Sequence, residues 1–421
     1  MIPRTLLAQL PIPPPGPQAI HGNVPLAAGY LKLFAQGLGL PAAEAVEILP
    51  PAEANELGDE GLAEAIVDRA PDLVGFTCYL WNIDRSLWVA QRVKERRPET
   101  RVLLGGPEIT ADNGWVLVHP AVDFAAVGEG EQTFAELLAA LTVEGEPGGE
   151  IAGLWSRRRP QTPRFRRPLA NLDAVSSPYL AGILDAADEQ MLMLETVRGC
   201  AFRCKFCYYP KSYDALYFVS REKTEANLRH AAARGAREVV LLDPTLNQRR
   251  DFADFLRLLA AGNPDRQFAY FGELRAEGIN AETARLLRAA NFAEVEIGLQ
   301  SLDPHAQALM DRRVHLRAFE RGARAMLDAG IEVRVDLILG LPGDTVDSFR
   351  RNVEYLAGSK LFTHAQVFNL SILPGTAFRQ EAAALGLKHQ ARPPYYVLET
   401  PAMTLEDLYR LMEEAQEAFG A

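Results

Sequence analysis

Three of the four cysteines in this 421-residue chain fall within eight positions, in the run Arg198-Gly199-Cys200-Ala201-Phe202-Arg203-Cys204-Lys205-Phe206-Cys207-Tyr208. No other feature restricts the fold so tightly. Thiolates spaced C-x3-C-x2-C on one loop can close on a single inorganic centre. A tetrahedral zinc site needs a fourth ligand, so His230 or another distant group would have to be borrowed. Three thiolates can instead hold a 4Fe–4S cluster by three of its irons and leave the fourth open. A buried group of structural cysteines is the remaining reading.

The spacing, with an aromatic residue before the last cysteine, resembles the cluster loop of the radical S-adenosylmethionine enzymes. That resemblance implies cluster ligation by Cys200, Cys204 and Cys207. It also implies that the open iron is chelated by the amino and carboxylate groups of S-adenosylmethionine, which one electron cleaves to a 5′-deoxyadenosyl radical. A low-potential donor such as a flavodoxin or ferredoxin is implied as well.

Four cysteines, three of them clustered, do not make a disulfide framework and point to a reducing cytoplasm. The chain is 48% hydrophobic and 24% charged, the composition of a protein with large cores. A net charge of −11 argues against nucleic acid or an anionic membrane as a partner held by overall charge. The sequence shows no signal-peptide apolar region, and no run of about 18 apolar residues appears.

Residues 1–145 alternate strand and helix. Strands are expected over 4–10, 45–49, 73–77, 101–104 and 122–127. A Pro-rich loop (11–17) follows the first, and helices are expected from about 25, over 62–69, 85–94 and 131–141. Apolar strands in this alternation predict a parallel, doubly wound Rossmann-like sheet, whose ligands lie at the strands' carboxyl ends. Tyr79, Trp81 and Asn82 follow the third strand, Gly105 and Gly106 the fourth, and Gly128, Glu129 and Gly130 the fifth. With the early Asn23-Val24-Pro25-Leu26 and Gly29-Tyr30-Leu31, these turns resemble the cobalamin-binding domain that precedes the radical domain in cobalamin-dependent members. The resemblance implies cobalamin contacts from those eight turn residues. The Asp-x-His-x-x-Gly motif that supplies a histidine to cobalt is missing, since Ala19 stands where aspartate belongs before His21-Gly22. The cobalt is therefore expected to have no protein histidine below it. Cys78 reads as a small buried side chain.

Residues 146–188, with Arg157-Arg158-Arg159-Pro160 and Arg164-Phe165-Arg166-Arg167-Pro168, read as a solvated linker. Residues 189–390 then repeat strand and helix. Six strands, over 191–196, 239–242, 267–272, 295–299, 333–339 and 365–370, predict a (β/α)6 partial TIM barrel with function on its carboxyl face. Polar residues fall there. Glu273 ends the third strand; Glu296-Ile297-Gly298-Leu299-Gln300-Ser301 form and leave the fourth; Arg312-Arg313-Val314-His315 lie beyond it. Val335-Asp336-Leu337-Ile338-Leu339-Gly340-Leu341-Pro342-Gly343 form the fifth. These stretches resemble the coproporphyrinogen oxidase and tRNA-modifying branch of the family. The resemblance implies that Arg313 pairs with the methionyl carboxylate, a task suited to a guanidinium fork. It assigns Asp336 to the ribose hydroxyls, Gln300 to a polar contact and Glu273 to the amino or ribose end, with Phe206 and Tyr208 flanking cluster and adenine. Asp243-Pro244-Thr245-Leu246-Asn247 and Ser371-Ile372-Leu373-Pro374-Gly375-Thr376 resemble loops of the cobalamin-dependent members. Residues 391–421 carry a packing helix opened by a capping-box pair, Thr404 and Asp407.

The function this implies is cobalamin-dependent transfer of a methyl group to an unactivated carbon, or phosphorus, of a small-molecule or peptide substrate. The alternatives are ring formation or rearrangement without methyl transfer, and a non-catalytic tetrapyrrole-binding protein.

Overall fold

The computed structural model describes residues 2–12, 20–209 and 213–420. Ala19 and most of the Pro-rich loop lie outside that set. The chain folds as two units, Met1–Asp185 and Ala186–Ala421. Among the described residues no helix is long and apolar enough to cross a membrane.

The first unit is built on strands β1 (Thr5–Gln9), β2 (Val46–Ile48), β3 (Leu73–Thr77), β4 (Arg101–Gly105), β5 (Phe124–Ala126) and β6 (Leu154–Ser156), in the order β2-β1-β3-β4-β5-β6. The first five are parallel. Their side chains alternate between two cores. Leu6, Ala8, Val74, Phe76, Val102 and Leu104 pack under one helical layer, while Leu7, Leu73, Leu103 and Phe124 pack under the other. Burial on both faces is why these strands read as continuous apolar runs. The order reverses between β1 and β3, which makes the loops after those strands the crevice of the sheet. One expectation is corrected here. The stretch read as a linker contributes β6, which pairs antiparallel with β5, and Arg166 is bound to Glu136 and to the carbonyl of Ala152.

The second unit contains β7 (Met191–Leu194), β8 (Val197–Arg198), β9 (Tyr217–Phe218), β10 (Glu238–Leu241), β11 (Ala269–Leu274), β12 (Phe292–Gln300), β13 (Glu332–Leu339), β14 (His364–Asn369), β15 (Lys388–His389) and β16 (Val397–Glu399). Strands β7, β10, β11, β12, β13 and β14 form one parallel sheet in that order, with β7 and β14 at its edges. This is the expected open half-barrel. Val295, Ile297 and Leu299 of β12 and Val333, Val335 and Leu337 of β13 are fully buried, leaving Glu294, Glu296, Arg334 and Asp336 on the opposite, inner face. The helix Leu405–Phe419 packs against β13 and β14 and opens with the Thr404–Asp407 capping box.

Candidate functional site

The cysteine run leaves β7 and is closed at its base by the β8–β9 pairing. Gly199 precedes Cys200 with φ +96°, and a Cβ there would stand 2.3 Å from the Ala215 carbonyl oxygen. Only glycine fits. The rest of the run is pinned by loops at the carboxyl ends of four other strands. After β10, Gln248 accepts the Ala201 N–H at 2.8 Å and donates to the Gly199 carbonyl at 3.2 Å. After β11, Arg275 lies over the Phe202 ring at 4.1 Å. Beyond β12, the Met310 carbonyl accepts from Lys205 N–H, and beyond β14 Phe378 N–H donates to the Lys205 carbonyl.

All three cysteines are free, Cys204 buried and Cys200 and Cys207 half-buried. Burial pushes the Cys200 thiol up, with the Phe202 backbone, Thr245 and Arg312 opposing it. Burial likewise pushes Cys207 up to about 11, and Cys204, Cys200 and Glu273 add to the rise. The thiols therefore feel one another. Yet among the described residues no three His, Cys, Asp or Glu side chains come together tightly enough to hold one metal ion. A lone zinc with bonds of about 2.3 Å would need its sulfurs roughly 3.8 Å apart. A four-iron cluster takes each thiolate on a separate iron, so the donor set suits a cluster.

Beside the loop lies the polar end of β12 and β13. Gly298 carries no side chain, and the space is filled by its neighbours; a Cβ there would lie 2.2 Å from Gln300 Nε2 and 3.0 Å from Arg312 Nη2. The register shifts between Gly298 and Gln300, and Gln300 has φ +65°. A bulge with a non-glycine residue in the left-handed region is strain of the kind held at ligand sites. Arg312 donates to the Gly298 carbonyl at 2.5 Å, and its Nη1 stands 3.9 Å from Cys204 Sγ. Gln300 Oε1, Arg312 Nε and Asp336 Oδ1 are all buried without a hydrogen-bond partner. Orphaned buried polar atoms are costly, and these three offer a carbonyl, a guanidinium N–H and a carboxyl oxygen to a polar ligand.

A row of carboxyls continues inward. Glu273 is in register with Glu296, and Asp336 stands one step on. Burial, then Glu296, hold the Asp336 carboxyl far above its usual range. Glu273 keeps contact with solvent, yet the protein packed around its carboxyl and the nearby Glu296 push it up to about 7, against the pull of Arg312. Arg334 reaches Glu294 at 2.6 Å and Glu296 at 3.7 Å.

The structure thus gathers Cys200, Cys204, Cys207, Gln300, Asp336 and Glu273 in one unit, with Phe206 and Tyr208 half-buried on the loop. Arg313 lies apart from the cysteines. It is exposed, and its carbonyl accepts from Arg275; Arg312 points to the cysteines instead. The sequence reading gave no role to Glu296, Thr245, Gln248 or Arg312. Charged residues at alternate positions of an otherwise apolar strand were the signal for Glu296.

In the first unit, Tyr79 and Trp81 stack with centroids 4.5 Å apart, and Trp81 is 45% exposed. Gly106 has φ +107°, and a Cβ would meet Cys78 backbone at 2.6 Å. Gly105 and Gly128 face open space, and Gly130 faces Leu31. Two residues expected to contact the corrin have partners within the fold. Asn82 is fully buried, donating to the Leu10 and Thr77 carbonyls and accepting from Tyr79 N–H, so it ties the loops together. The Glu129 carboxylate accepts Leu169 N–H at 2.6 Å. Cys78 is buried with its thiol pushed far up by that burial, as a structural residue should be. His21 is exposed.

Residues 24–138 match the B12 binding domain, and residues 194–356 match the radical SAM superfamily. The chain belongs to the B12-binding radical S-adenosylmethionine enzymes. Their cofactors are a 4Fe–4S cluster, S-adenosylmethionine and cobalamin. It is 28% identical to the cobalamin-dependent radical SAM methyltransferase TokK of Streptomyces tokunonensis, over 83% of this chain and 54% of that protein. It is 26% identical to the 2-(S-pantetheinyl)-carbapenam-3-carboxylate methyltransferase of Streptantibioticus cattleyicolor, over 90% of this chain and 58% of that one. The chain thus spans little more than half the length of these relatives. The fold also matches the methyltransferase TsrM of Kitasatospora setae, solved with cobalamin and its cluster. That match has a TM-score of 0.73 and 19% identity, over 97% of this chain and 85% of that one.

Proposed function

We propose that this enzyme transfers a methyl group to an unactivated carbon, or a phosphorus, of a small-molecule or peptide substrate. The observation that carries the reading is the meeting of three free thiols with three orphaned buried polar atoms at the carboxyl end of one half-barrel, in a chain that also carries a B12-binding domain. The reduced cluster supplies homolytic cleavage of S-adenosylmethionine, and cobalamin supplies the methyl group.

The chain's own residues bind and orient. Cys200, Cys204 and Cys207 would hold the cluster. Arg312, rather than Arg313, presents its guanidinium to the methionyl carboxylate. Asp336 accepts the ribose hydroxyls, Gln300 contributes its free carbonyl, and Glu273 receives the amino end. Phe206 and Tyr208 flank the adenine. Tyr79 and Trp81 offer a flat aromatic platform to the corrin, and Gly105, Gly106, Gly128 and Gly130 let the backbone approach it. A low-potential flavodoxin or ferredoxin in a reducing cytoplasm fits as electron donor.

The test is anaerobic reconstitution with cluster and cobalamin, followed by methyl-labelled S-adenosylmethionine and a reductant. Label recovered with the corrinoid and deoxyadenosine formed on substrate addition support methyl transfer. Deoxyadenosine without any label transfer would replace the reading with ring formation or rearrangement.

A further inference from the structure

The loop after β10, residues 243–249, touches the cysteine run at several points, and the assigned roles leave it unused. Asp243 is 1% exposed and lies directly behind the start of the run. Its carboxylate accepts Thr196 N–H at 2.8 Å and Val197 N–H at 3.1 Å, and also takes the Thr196 hydroxyl. Arg249 donates to that same hydroxyl at 3.4 Å. Gln248 brackets Cys200 from both sides through Gly199 and Ala201. Thr245 Oγ1 donates to the Pro244 carbonyl at 2.6 Å and stands 3.9 Å from Cys200 Sγ, which is placed to donate to it in turn. Asn247 fixes the loop itself, exchanging hydrogen bonds with the backbone of Arg275 at 2.8 and 3.0 Å.

We infer that residues 243–249 form a clamp that holds the cysteine run in its ligating shape before any cluster arrives, with Asp243 and Gln248 as positioning residues, and that the Thr245 hydroxyl turns from the Pro244 carbonyl to donate to the first thiolate once Cys200 is deprotonated and ligated. The inference rests on the cluster reading above. A loop with three ligands must otherwise be ordered at the moment of binding, at the cost of its backbone conformational freedom. A clamp anchored in the sheet removes much of that cost. Hydrogen bonds to a ligating sulfur also raise a cluster's reduction potential.

Gln248 is half-buried on a loop, so Gln248→Ala leaves the sheet intact. The experiment reconstitutes the full chain anaerobically as wild type, Gln248→Ala, Gln248→Glu and Thr245→Val. It measures iron and sulfide per chain, the EPR signal and midpoint potential of the reduced cluster, and cobalamin uptake as an internal control for folding. Gln248→Ala is expected to retain severalfold less cluster after desalting with cobalamin uptake unchanged. Gln248→Glu, which keeps the acceptor for Ala201 N–H, should recover part of it. Thr245→Val should load fully but shift the potential to more negative values. Full, stable loading of Gln248→Ala with the wild-type signal, or an unchanged potential in Thr245→Val, overturns the clamp. A wild-type chain that takes up no cluster would overturn the cluster reading instead.

Discussion

Gly298 should be the most informative single position in the second unit. Its backbone φ lies outside the left-handed region, so alanine carries no backbone penalty there. What alanine adds is a methyl group 2.2 Å from Gln300 Nε2, 3.1 Å from Gln300 Cδ and 3.0 Å from Arg312 Nη2. Both neighbours are ends of flexible side chains, and both can swing away. Moving them costs the fold little, about 1 kcal/mol at the low end for overpacking. It removes the Gln300 amide and the Arg312 fork from the places where they would meet S-adenosylmethionine. A hydrogen bond to a charged group is worth about 1.5–3 kcal/mol, so the loss of the Arg312 contact alone corresponds to roughly 10- to 150-fold in Kd. The assay is calorimetric binding of S-adenosylmethionine to cluster-loaded Gly298→Ala, with Tm measured alongside. Gly322→Ala is the contrast, because its Cβ would stand 1.9 Å from the Ala276 carbonyl oxygen, a backbone atom that cannot swing. That variant should lose several degrees of Tm. Wild-type affinity in Gly298→Ala would refute the assignment of this corner to the cofactor.

Other substitutions separate ligand contacts from structural ones. Arg312→Ala should weaken S-adenosylmethionine binding at least tenfold, whereas Arg313→Ala should change it less than twofold; the reverse order would restore the assignment to Arg313. Asn82→Ala breaks three hydrogen bonds in a fully buried loop and should cost about 2–3 kcal/mol in denaturant unfolding, while Trp81→Ala should weaken cobalamin binding with stability kept. The carboxyl row gives a pH dependence. Asp336 is held well above the ordinary carboxylate range by burial and by Glu296, and Glu273 is pushed up to about 7, against unfolded values near 4. The folded state then binds more protons than the unfolded one across that interval, so stability falls as pH rises. The cofactor-free chain should show Tm declining between about pH 5 and pH 8, and Asp336→Asn, which removes the buried member of the row, should flatten the decline; a Tm that rises over that range would contradict the raised carboxyls.

How much of this was legible in the sequence depended on whether the information was local. Residues 73–77 were readable as a strand because an apolar run bounded by turn residues admits few alternatives. The half-barrel followed from six such runs separated by helices. Strand β6 was not readable. It is three residues long, lies between the Gly-rich stretch 145–153 and the basic run 157–159, and is a strand only because β5 offers it an edge. Arg312 and Arg313 are adjacent in a loop without periodicity, and nothing local tells which one faces the cysteines. Asn82 looked like a ligand because polar residues at strand ends often are; its partners Leu10 and Thr77 come from two different strands' ends. Gln248 was invisible for the same reason, since the residues it holds lie 47 and 49 positions away.

The central claim is that three thiolates and an open iron share the end of the half-barrel. Iron and sulfide analysis after anaerobic reconstitution tests it most directly, comparing the wild-type chain with Cys200→Ala. About four of each per chain in the wild type, with most of it lost in the variant, is the expected result. A wild-type chain that holds neither, or a variant that holds as much, would contradict it.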